Sequence, residues 1–219
     1  MVRIPKKDKV LVICAHPDDE ILGVGGTIAK YQQEGKYNYC IIFSFGEKSH
    51  WWMKKKYTVE MRVAESKKAA EIVGYDETFF LGLKDADLKS EIERPEVLEK
   101  LANLIKKINP GKIFTHSMDD VIYADHKSVH SAVIQALDDI KYRGEVYTFN
   151  IWAKDVRTTA NPKLYVDISD TFNLKIKALK IFVSQKLALM QLLPTIYYKA
   201  IRSGITKKMR FAEVFIKIK

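Results

Sequence analysis

Residues 10–20 read Val-Leu-Val-Ile-Cys-Ala-His-Pro-Asp-Asp-Glu, so a continuous apolar run ends in one imidazole and three carboxylates. The apolar run predicts a buried strand, and open α/β sheets bind ligands beyond the carboxyl ends of their strands. An acidic loop that only capped the next helix would group carboxylates that repel one another, a cost that a bound cation removes. Because Pro17 restricts the turn, His16 and Asp19 can converge on one metal ion while Asp18 points elsewhere.

Short apolar segments alternate with helical patterns along the rest of the chain, which is typical of a parallel sheet flanked by helices. We predict strands at residues 9–15, 39–45, 77–81, 112–116, 145–152 and 164–168. We predict helices at residues 23–34, 59–73, 95–108 and 125–140. In the second helix, Thr58 is the expected N-cap and Gly74 follows the last turn.

The last third of the chain has a long helical pattern over residues 171–201, which Pro194 should kink or break. An alternating apolar tail follows at residues 211–218. We therefore expect one domain over residues 1–219 with an α/β fold. Its architecture should be a three-layer, Rossmann-like, mostly parallel sheet flanked by helices, with a C-terminal appendage of helix and strand.

A second group of ionisable residues follows the strand at 112–116, with Asp125 and His126 at the start of the next helix. Catalytic zinc sites use three protein ligands and keep a fourth position open, so His126 is the candidate that completes the first cluster. Two alternatives remain open. His116 ends its strand, and His130 lies four residues after His126, although no glutamate base accompanies that pair as it does in HExxH.

The composition, with 47% hydrophobic and 29% charged residues, is that of an ordinary globular protein. Cys14 and Cys40 lie in apolar runs without a CxxC motif, which predicts reduced core residues. The N-terminus has no cleavable apolar stretch, and lysines interrupt the apolar residues 176–198, so we expect a cytoplasmic protein without a membrane span. The glycines at 23–26 lack the GxGxxG order of a dinucleotide-binding turn.

Taken together, these motifs resemble those of the PIG-L/LmbE-like family of zinc deacetylases, which act on N-acetylglucosaminyl compounds. The resemblance rests on the AHPDDE motif at residues 15–20 and on the DH element at Asp125 and His126. Weaker similarities extend it over nearly the whole chain, at residues 25–27, at Arg62 with Glu65, at residues 81–85 and at residues 184–185.

The resemblance implies that zinc is bound by His16, Asp19 and His126. It also implies that Asp18 is the general base and that Arg62, with Asp85, helps to hold the sugar. Many relatives carry a histidine three residues before the distal ligand, where it assists the oxyanion, and this chain has Tyr123 at that position. Either the Tyr123 hydroxyl takes this role or zinc stabilises the intermediate with less help.

The resemblance also implies the hydrolysis of an N-acetylglucosamine-type conjugate. Zinc, or another divalent metal, would polarise the acetyl carbonyl and acidify water. Asp18 would accept the proton of that water and pass it to the departing amine, and Asp125 would orient a neighbouring group. A different N-acyl small molecule is the alternative substrate.

The chain carries 37 Lys and Arg against 27 Asp and Glu, and this net charge of +10 favours acidic partners. Residues 51–56, Trp-Trp-Met-Lys-Lys-Lys, are typical either of a lid over the cleft or of a loop that contacts a membrane. They lack the pattern of a nucleic-acid binder. The sequence leaves open whether the sugar is lipid-linked, whether the protein contacts a membrane peripherally and whether it forms an oligomer. A second hypothesis is a non-catalytic, basic protein that binds membrane surfaces.

Overall fold

The computed structural model of the chain describes residues 8–49, 53–120, 124–152 and 160–219. Its strands are β1 (Lys9–Cys14), β2 (Tyr37–Ser44), β3 (Glu77–Leu83), β4 (Lys112–His116), β5 (Glu145–Phe149), β6 (Lys163–Asp167) and β7 (Ala212–Lys217). Its helices are α1 (Asp19–Gln33), α2 (Lys55–Val73), α3 (Leu88–Ile92), α4 (Pro95–Ile108), α5 (Ala124–Asp139), α6 (Phe172–Leu179) and α7 (Lys186–Thr206). Short 3₁₀ turns at Glu47–Ser49 and Val183–Gln185 precede α2 and α7.

The strands form one sheet in the order β3-β2-β1-β4-β5-β7-β6. The first five strands pair in parallel, and β7 pairs antiparallel with both β5 and β6. The chain leaves β1 toward β2 and β3, then returns on the other side of β1 as β4. Such a reversal opens a crevice at the carboxyl ends of the two strands, which is where the two predicted clusters lie.

Side chains of the central strand enter two apolar layers in alternation. Val10 and Val12 face the layer that α1, α2, α6 and α7 cover, whereas Leu11 and Ile13 face the layer that α3, α4 and α5 cover. All four are buried, because a parallel strand covered on both faces is apolar on both. The predicted three-layer α/β architecture is confirmed, and its C-terminal appendage completes the sheet with β6 and β7.

The C-terminal helical pattern is interrupted earlier than we predicted. Residues 180–185 separate α6 from α7, and α7 continues through Pro194, so the break predicted at Pro194 is wrong. Phe182 is buried in the core, and Ser184 donates to Glu65 from its backbone N (2.9 Å) and its Oγ (2.5 Å). These contacts replace helical hydrogen bonds between α6 and α7. Pro194 is exposed, so the carbonyl that loses its partner can be solvated.

Two helices begin earlier than predicted. α1 starts at Asp19 rather than at residue 23, so the acidic cluster forms its first turn. α2 starts at Lys55, which places Thr58 inside the helix rather than at its N-cap. Gly74 does end α2, with a left-handed φ of 85°.

Three further expectations concern the cysteines, a membrane span and the number of domains. Cys14 and Cys40 are buried free thiols, as predicted. Among the residues that the structure describes, no helix is long and apolar enough to cross a membrane. The expectation of a single domain over residues 1–219 stays a prediction.

Candidate metal centre

The turn after β1 places His16 and Asp19 side by side. His16 donates its backbone N–H to Asp19 Oδ2 at 2.9 Å, and His16 Nδ1 lies 3.5 Å from the same oxygen. The backbone carbonyl of Asp18 accepts the first hydrogen bonds of α1, from the N–H groups of Ile21 (3.0 Å) and Leu22 (2.8 Å). The start of the helix therefore fixes the position of the Asp19 carboxylate, which is almost fully buried.

His126 approaches Asp19 from the other side of the crevice, at the start of α5. His126 Nε2 lies 3.5 Å from Asp19 Oδ2, and His126 Nδ1 lies 3.0 Å from Asp120 Oδ2. The buried Asp120 carboxylate also accepts the backbone N–H groups of Ile151 (3.2 Å) and Trp152 (3.3 Å). Asp120 therefore holds the ring of His126 with Nε2 toward Asp19.

His16 is held in the same way by two carboxylates. Its Nε2 lies 3.2 Å from Asp125 Oδ2 and 3.2 Å from Asp85 Oδ1. The backbone N–H of Ala86 donates to Asp125 (3.1 Å) and that of Lys48 donates to Asp85 (2.8 Å). Each imidazole thus has one nitrogen beside a carboxylate and the other toward the shared aspartate, the arrangement in which carboxylates orient metal-binding histidines.

The three predicted ligands fit a tetrahedral zinc ion. His16, Asp19 and His126 each offer one ligand atom, and these atoms lie within 4.8 Å of one another. Zinc–ligand distances near 2.0–2.1 Å imply about 3.4 Å between two ligand atoms of a tetrahedron. The two distances of 3.5 Å from Asp19 Oδ2 to the histidine nitrogens match this spacing.

The carboxylates make the centre attractive to positive charge. Burial disfavours a protonated His126, but Asp19 and Asp120 outweigh burial and raise its pKa to about 9. Burial also opposes the protonation of His16, yet its carboxylate partners, with Asp125 the strongest, raise its pKa well above the usual value. A divalent cation at this place would hold both imidazoles neutral, because metal ligands must be deprotonated.

The two alternative ligands are engaged differently. His116 Nε2 accepts the backbone N–H of Ala15 at 3.1 Å, and its ring stacks on His126 with centroids 3.9 Å apart. Burial and the neighbouring His126 lower the pKa of His116 to about 4. His116 Nε2 also lies 3.3 Å from Asp19 Oδ2, but its lone pair already accepts the Ala15 N–H, so we interpret His116 as a packing residue of the site. His130 Nδ1 lies 2.7 Å from the backbone oxygen of His116.

Asp18 stands beside the ligands in a strained backbone conformation. Its φ is 117°, a region that costs a non-glycine residue about 1–3 kcal/mol. Arg62 donates to Asp18 Oδ2 at 3.2 Å and to the carbonyl of Pro17. Glu20 accepts the Asp18 N–H (2.7 Å) and the Ser66 hydroxyl (2.7 Å). Buried contacts with α2 therefore hold the turn in this conformation.

The Asp18 carboxylate differs electrostatically from that of its neighbour. Burial raises the pKa of Asp18 to about 6, an effect that Arg62 partly offsets. Burial alone would also raise the pKa of Asp19. The adjacent His126 and His116 outweigh burial and hold the pKa of Asp19 well below its usual value. The two consecutive carboxylates thus differ in how readily each one binds a proton.

A sequence model of the PIG-L family, described as GlcNAc-PI de-N-acetylase, matches residues 11–137. The matched segment covers more than half of the chain and includes both clusters. The chain belongs to the PIG-L family. The predicted family is thereby confirmed. The family assignment also confirms the prediction of an enzyme that hydrolyses an amide bond.

Relatives of this PIG-L protein include enzymes of two kinds. A probable N-acetyl-alpha-D-glucosaminyl L-malate deacetylase 2 of Bacillus cereus is 26% identical over 189 residues, which cover 83% of this chain and 86% of the relative. A 4-oxalmesaconate hydratase of Pseudomonas putida is 30% identical over 129 residues, 56% of this chain and 48% of the relative.

The fold is also that of a solved deacetylase structure. The N,N'-diacetylchitobiose deacetylase from Pyrococcus horikoshii, complexed with an inhibitor, has a TM-score of 0.82 to this chain at 23% identity, and the match covers 96% of this chain and 84% of that one. This likeness supports the PIG-L fold assignment.

Sequence reasoning missed two carboxylates of this PIG-L site. Asp120 is not among the predicted site residues, and Glu20 is part of the prediction only as the last residue of the motif. Arg62, predicted to hold the sugar, is 3% exposed and contacts Asp18. Tyr123 lies outside the described residues, so its role stays a prediction.

Proposed function

We propose that this protein is a zinc-dependent deacetylase that removes the acetyl group from an N-acetylglucosamine-type sugar conjugate. One observation carries the proposal: Asp19 Oδ2 lies 3.5 Å from a nitrogen of each of two histidines whose other nitrogens face carboxylates. A second carboxylate, that of Asp18, stands next to this group. Three ligands with an adjacent base form the constellation that metal-assisted hydrolysis requires.

In this proposal His16, Asp19 and His126 hold the zinc ion. When bound, zinc supplies a Lewis acid for the acetyl carbonyl and lowers the pKa of water. Asp125 and Asp120 keep the two imidazoles in the orientation that directs a nitrogen toward Asp19. Another divalent ion with similar bond lengths would fit the same residues.

Asp18 is the proposed general base. Its carboxylate accepts a proton from the attacking water and delivers it to the nitrogen of the departing amine, as one carboxylate can do in two successive steps. Arg62 holds Oδ2 at 3.2 Å, so the carboxylate has one fixed position during both transfers. This placement favours Arg62 as the residue that positions Asp18.

Three further roles remain part of the proposal. Asp85 contacts His16 at 3.2 Å, so it helps to orient that ligand and also lies where it could accept a sugar hydroxyl. A direct contact between Arg62 and the sugar stays a prediction. Tyr123, three residues before His126, would donate its hydroxyl to the developing oxyanion.

The sugar is inferred from the family description and from the Bacillus cereus relative, whose names both specify an N-acetylglucosaminyl group. We infer a cytoplasmic enzyme, with a lipid-linked sugar and peripheral membrane contact as further parts of the proposal. Of the loop at 51–56, the described lysines Lys54, Lys55 and Lys56 are exposed, and the two tryptophans lie outside the described residues.

The proposal is tested by incubating the zinc-loaded protein with a panel of N-acetylglucosamine conjugates, both soluble and lipid-linked, and quantifying acetate together with free amine. We expect equal amounts of the two products. An active protein that releases acetate only from N-acyl amino acids would move the substrate to the alternative class. A protein that releases none, but hydrates 4-oxalmesaconate, would align it with the Pseudomonas putida relative.

A further inference from the structure

The outer face of α7 is apolar over its whole length. Among the described residues, ten large apolar side chains are exposed, and seven of them lie between Val183 and Ile205. On α7, residues at spacings of three and four form one stripe: Leu187, Met190, Pro194, Tyr197, Ile201 and Ile205. At 3.6 residues per turn these positions share one side of the helix. Leu187 is 80% exposed and Ile205 is 72% exposed.

The opposite side of α7 accounts for its packing. Leu189, Leu192, Ile196 and Ala200 are buried in the core. The apolar side chains of the exposed stripe are therefore not needed to pack α7 on the core. A surface helix normally carries polar residues on its outer side. An exposed apolar patch of this length marks an interaction site.

The charged side chains of the segment that carries the stripe all have one sign. Residues 171–212 contain nine Lys and Arg and no Asp or Glu, whereas the whole chain has a net charge of +10. Seven of the nine are exposed: Lys177, Lys180, Lys186, Arg202, Lys207, Lys208 and Arg210. Lys175 is buried in an ion pair with Glu213. The apolar stripe thus lies within a surface that attracts anions.

An apolar groove adjoins the N-terminal end of the stripe. Its volume is about 330 Å³, and its lining consists of Leu179, Phe182, Val183, Leu189, Met190 and Leu193 together with Lys180 and Lys186. An apolar groove with two lysines in its lining suits the acyl chain and the anionic headgroup of a lipid.

The α7 face is connected to the metal centre at two points. Ser184, just before α7, bonds Glu65 of α2, one helical turn from Arg62. Lys199, in the middle of α7, donates to the carbonyl of Ile151 at 2.7 Å, and the N–H of Ile151 donates to Asp120. Hydrogen bonds therefore link α7 and the segment before it to the elements that carry Arg62 and Asp120.

We propose that the α6–α7 face, residues 172–206, docks on the surface of an anionic lipid bilayer. Apolar side chains then enter the interface while the surrounding lysines meet phosphate groups, as in other basic amphipathic helices that bind membranes. Two copies of this face would bring like charges together, which disfavours self-association. Nucleic-acid interfaces are polar, so they do not account for the apolar stripe.

The test is co-sedimentation of the full chain with vesicles of phosphatidylcholine, alone or mixed with phosphatidylglycerol in equal parts. We expect binding to the mixed vesicles and a loss of binding at high salt. Lys177→Gln, Lys180→Gln and Lys186→Gln together should reduce partitioning on the order of 100-fold, because each lysine near an anionic surface contributes about fivefold. Leu187→Ser, Met190→Ser and Ile201→Ser together should reduce it by at least about tenfold.

The matched control is Lys100→Gln, Lys106→Gln and Lys107→Gln, three exposed lysines of α4 on the opposite face of the sheet. This control should bind like the wild type, and all variants should keep the wild-type unfolding midpoint because every altered side chain is exposed. Equal loss in the α4 variant would overturn the proposal, as would equal binding to both vesicle types. So would a dimer in sedimentation velocity that Leu187→Ser, Met190→Ser and Ile201→Ser dissociate. The assay needs neither metal nor substrate, so its outcome is independent of the deacetylase proposal.

Discussion

At the level of single residues, Asp18 and Asp19 are adjacent in the chain but have different surroundings. Asp19 faces two imidazole nitrogens at 3.5 Å, whereas Asp18 pairs with Arg62 at 3.2 Å. Asp18→Asn should therefore keep the metal and reduce deacetylation by about 10²–10⁴-fold, since an amide of the same shape accepts no proton. Metal content and acetate release would be measured on the same sample.

The matched variant is Asp19→Asn, which removes the same charge one residue later. It should weaken metal binding first and lose activity as a consequence. If Asp18→Asn lost the metal while Asp19→Asn retained it, the roles assigned to the two carboxylates would be reversed.

Asp120 provides a second prediction at this scale. Its two carboxylate oxygens accept hydrogen bonds from His126 and from the backbone of Ile151 and Trp152. In Asp120→Asn, the NH₂ group of the amide would face one of these N–H donors and could not accept its hydrogen bond. His126 would then lose its fixed orientation. We expect metal affinity to fall by about 10–100-fold, as measured by competition with a chromophoric chelator.

Asp119→Asn is the control for this prediction, because it removes the same charge at the neighbouring position, which is half-buried. Its metal affinity should stay near that of the wild type. An equal loss in both variants would mean that Asp120 acts through net charge rather than through orientation of His126.

The proximity of the residues in the first motif could be predicted from the sequence, because the turn after a strand brings close neighbours together. His16, Asp18 and Asp19 lie within four residues, and a short turn leaves few arrangements. Asp120 could not be assigned in the same way, because its partners come from the segment after β5 and from α5. The contact of Asp85 with His16 likewise depends on how the loop after β3 crosses the crevice.

At the level of elements, Glu213 joins the C-terminal strand β7 to the helix of the first motif. It accepts hydrogen bonds from Gly26 N (3.1 Å), Thr27 N (2.8 Å), Thr27 Oγ1 (2.6 Å) and Lys175 Nζ (2.6 Å). Glu213 and the three donor residues are all buried. Glu213→Gln would leave the Lys175 ammonium buried without a counter-charge. We expect the free energy of unfolding to fall by about 3–5 kcal/mol, measured by denaturant titration.

The control is Glu145→Gln, which breaks the partly exposed ion pair with Lys217 at 2.8 Å. Exposed pairs contribute about 0–1 kcal/mol, so the unfolding midpoint should barely move. Similar losses in the two variants would show that the buried pair does not hold β7 against α1.

The boundaries of elements were less predictable than their order. Strands and helices alternate clearly in the sequence, but the end of α6 depends on Phe182 entering the core and on Ser184 bonding Glu65. Neither contact is visible in a local pattern. α3, only five residues long, carries too little periodicity to be predicted.

For the whole molecule, the two clusters meet only because the sheet reverses between β1 and β4. Removal of the metal should therefore abolish activity without unfolding the chain, since the sheet has its own apolar layers on both faces. We expect a chelated protein to keep its circular dichroism spectrum and to lose acetate release. A chain that unfolds on chelation would make the ion structural rather than catalytic.

The most direct test of the central claim is a titration of the chelated protein with zinc while acetate release from an N-acetylglucosamine conjugate is followed. The geometry of His16, Asp19 and His126 predicts that activity rises with added zinc and saturates at about one ion per chain, and that His126→Ala shows no such rise. Full activity in the absence of any divalent ion, or an equal zinc response in His126→Ala, would contradict the assignment of this centre.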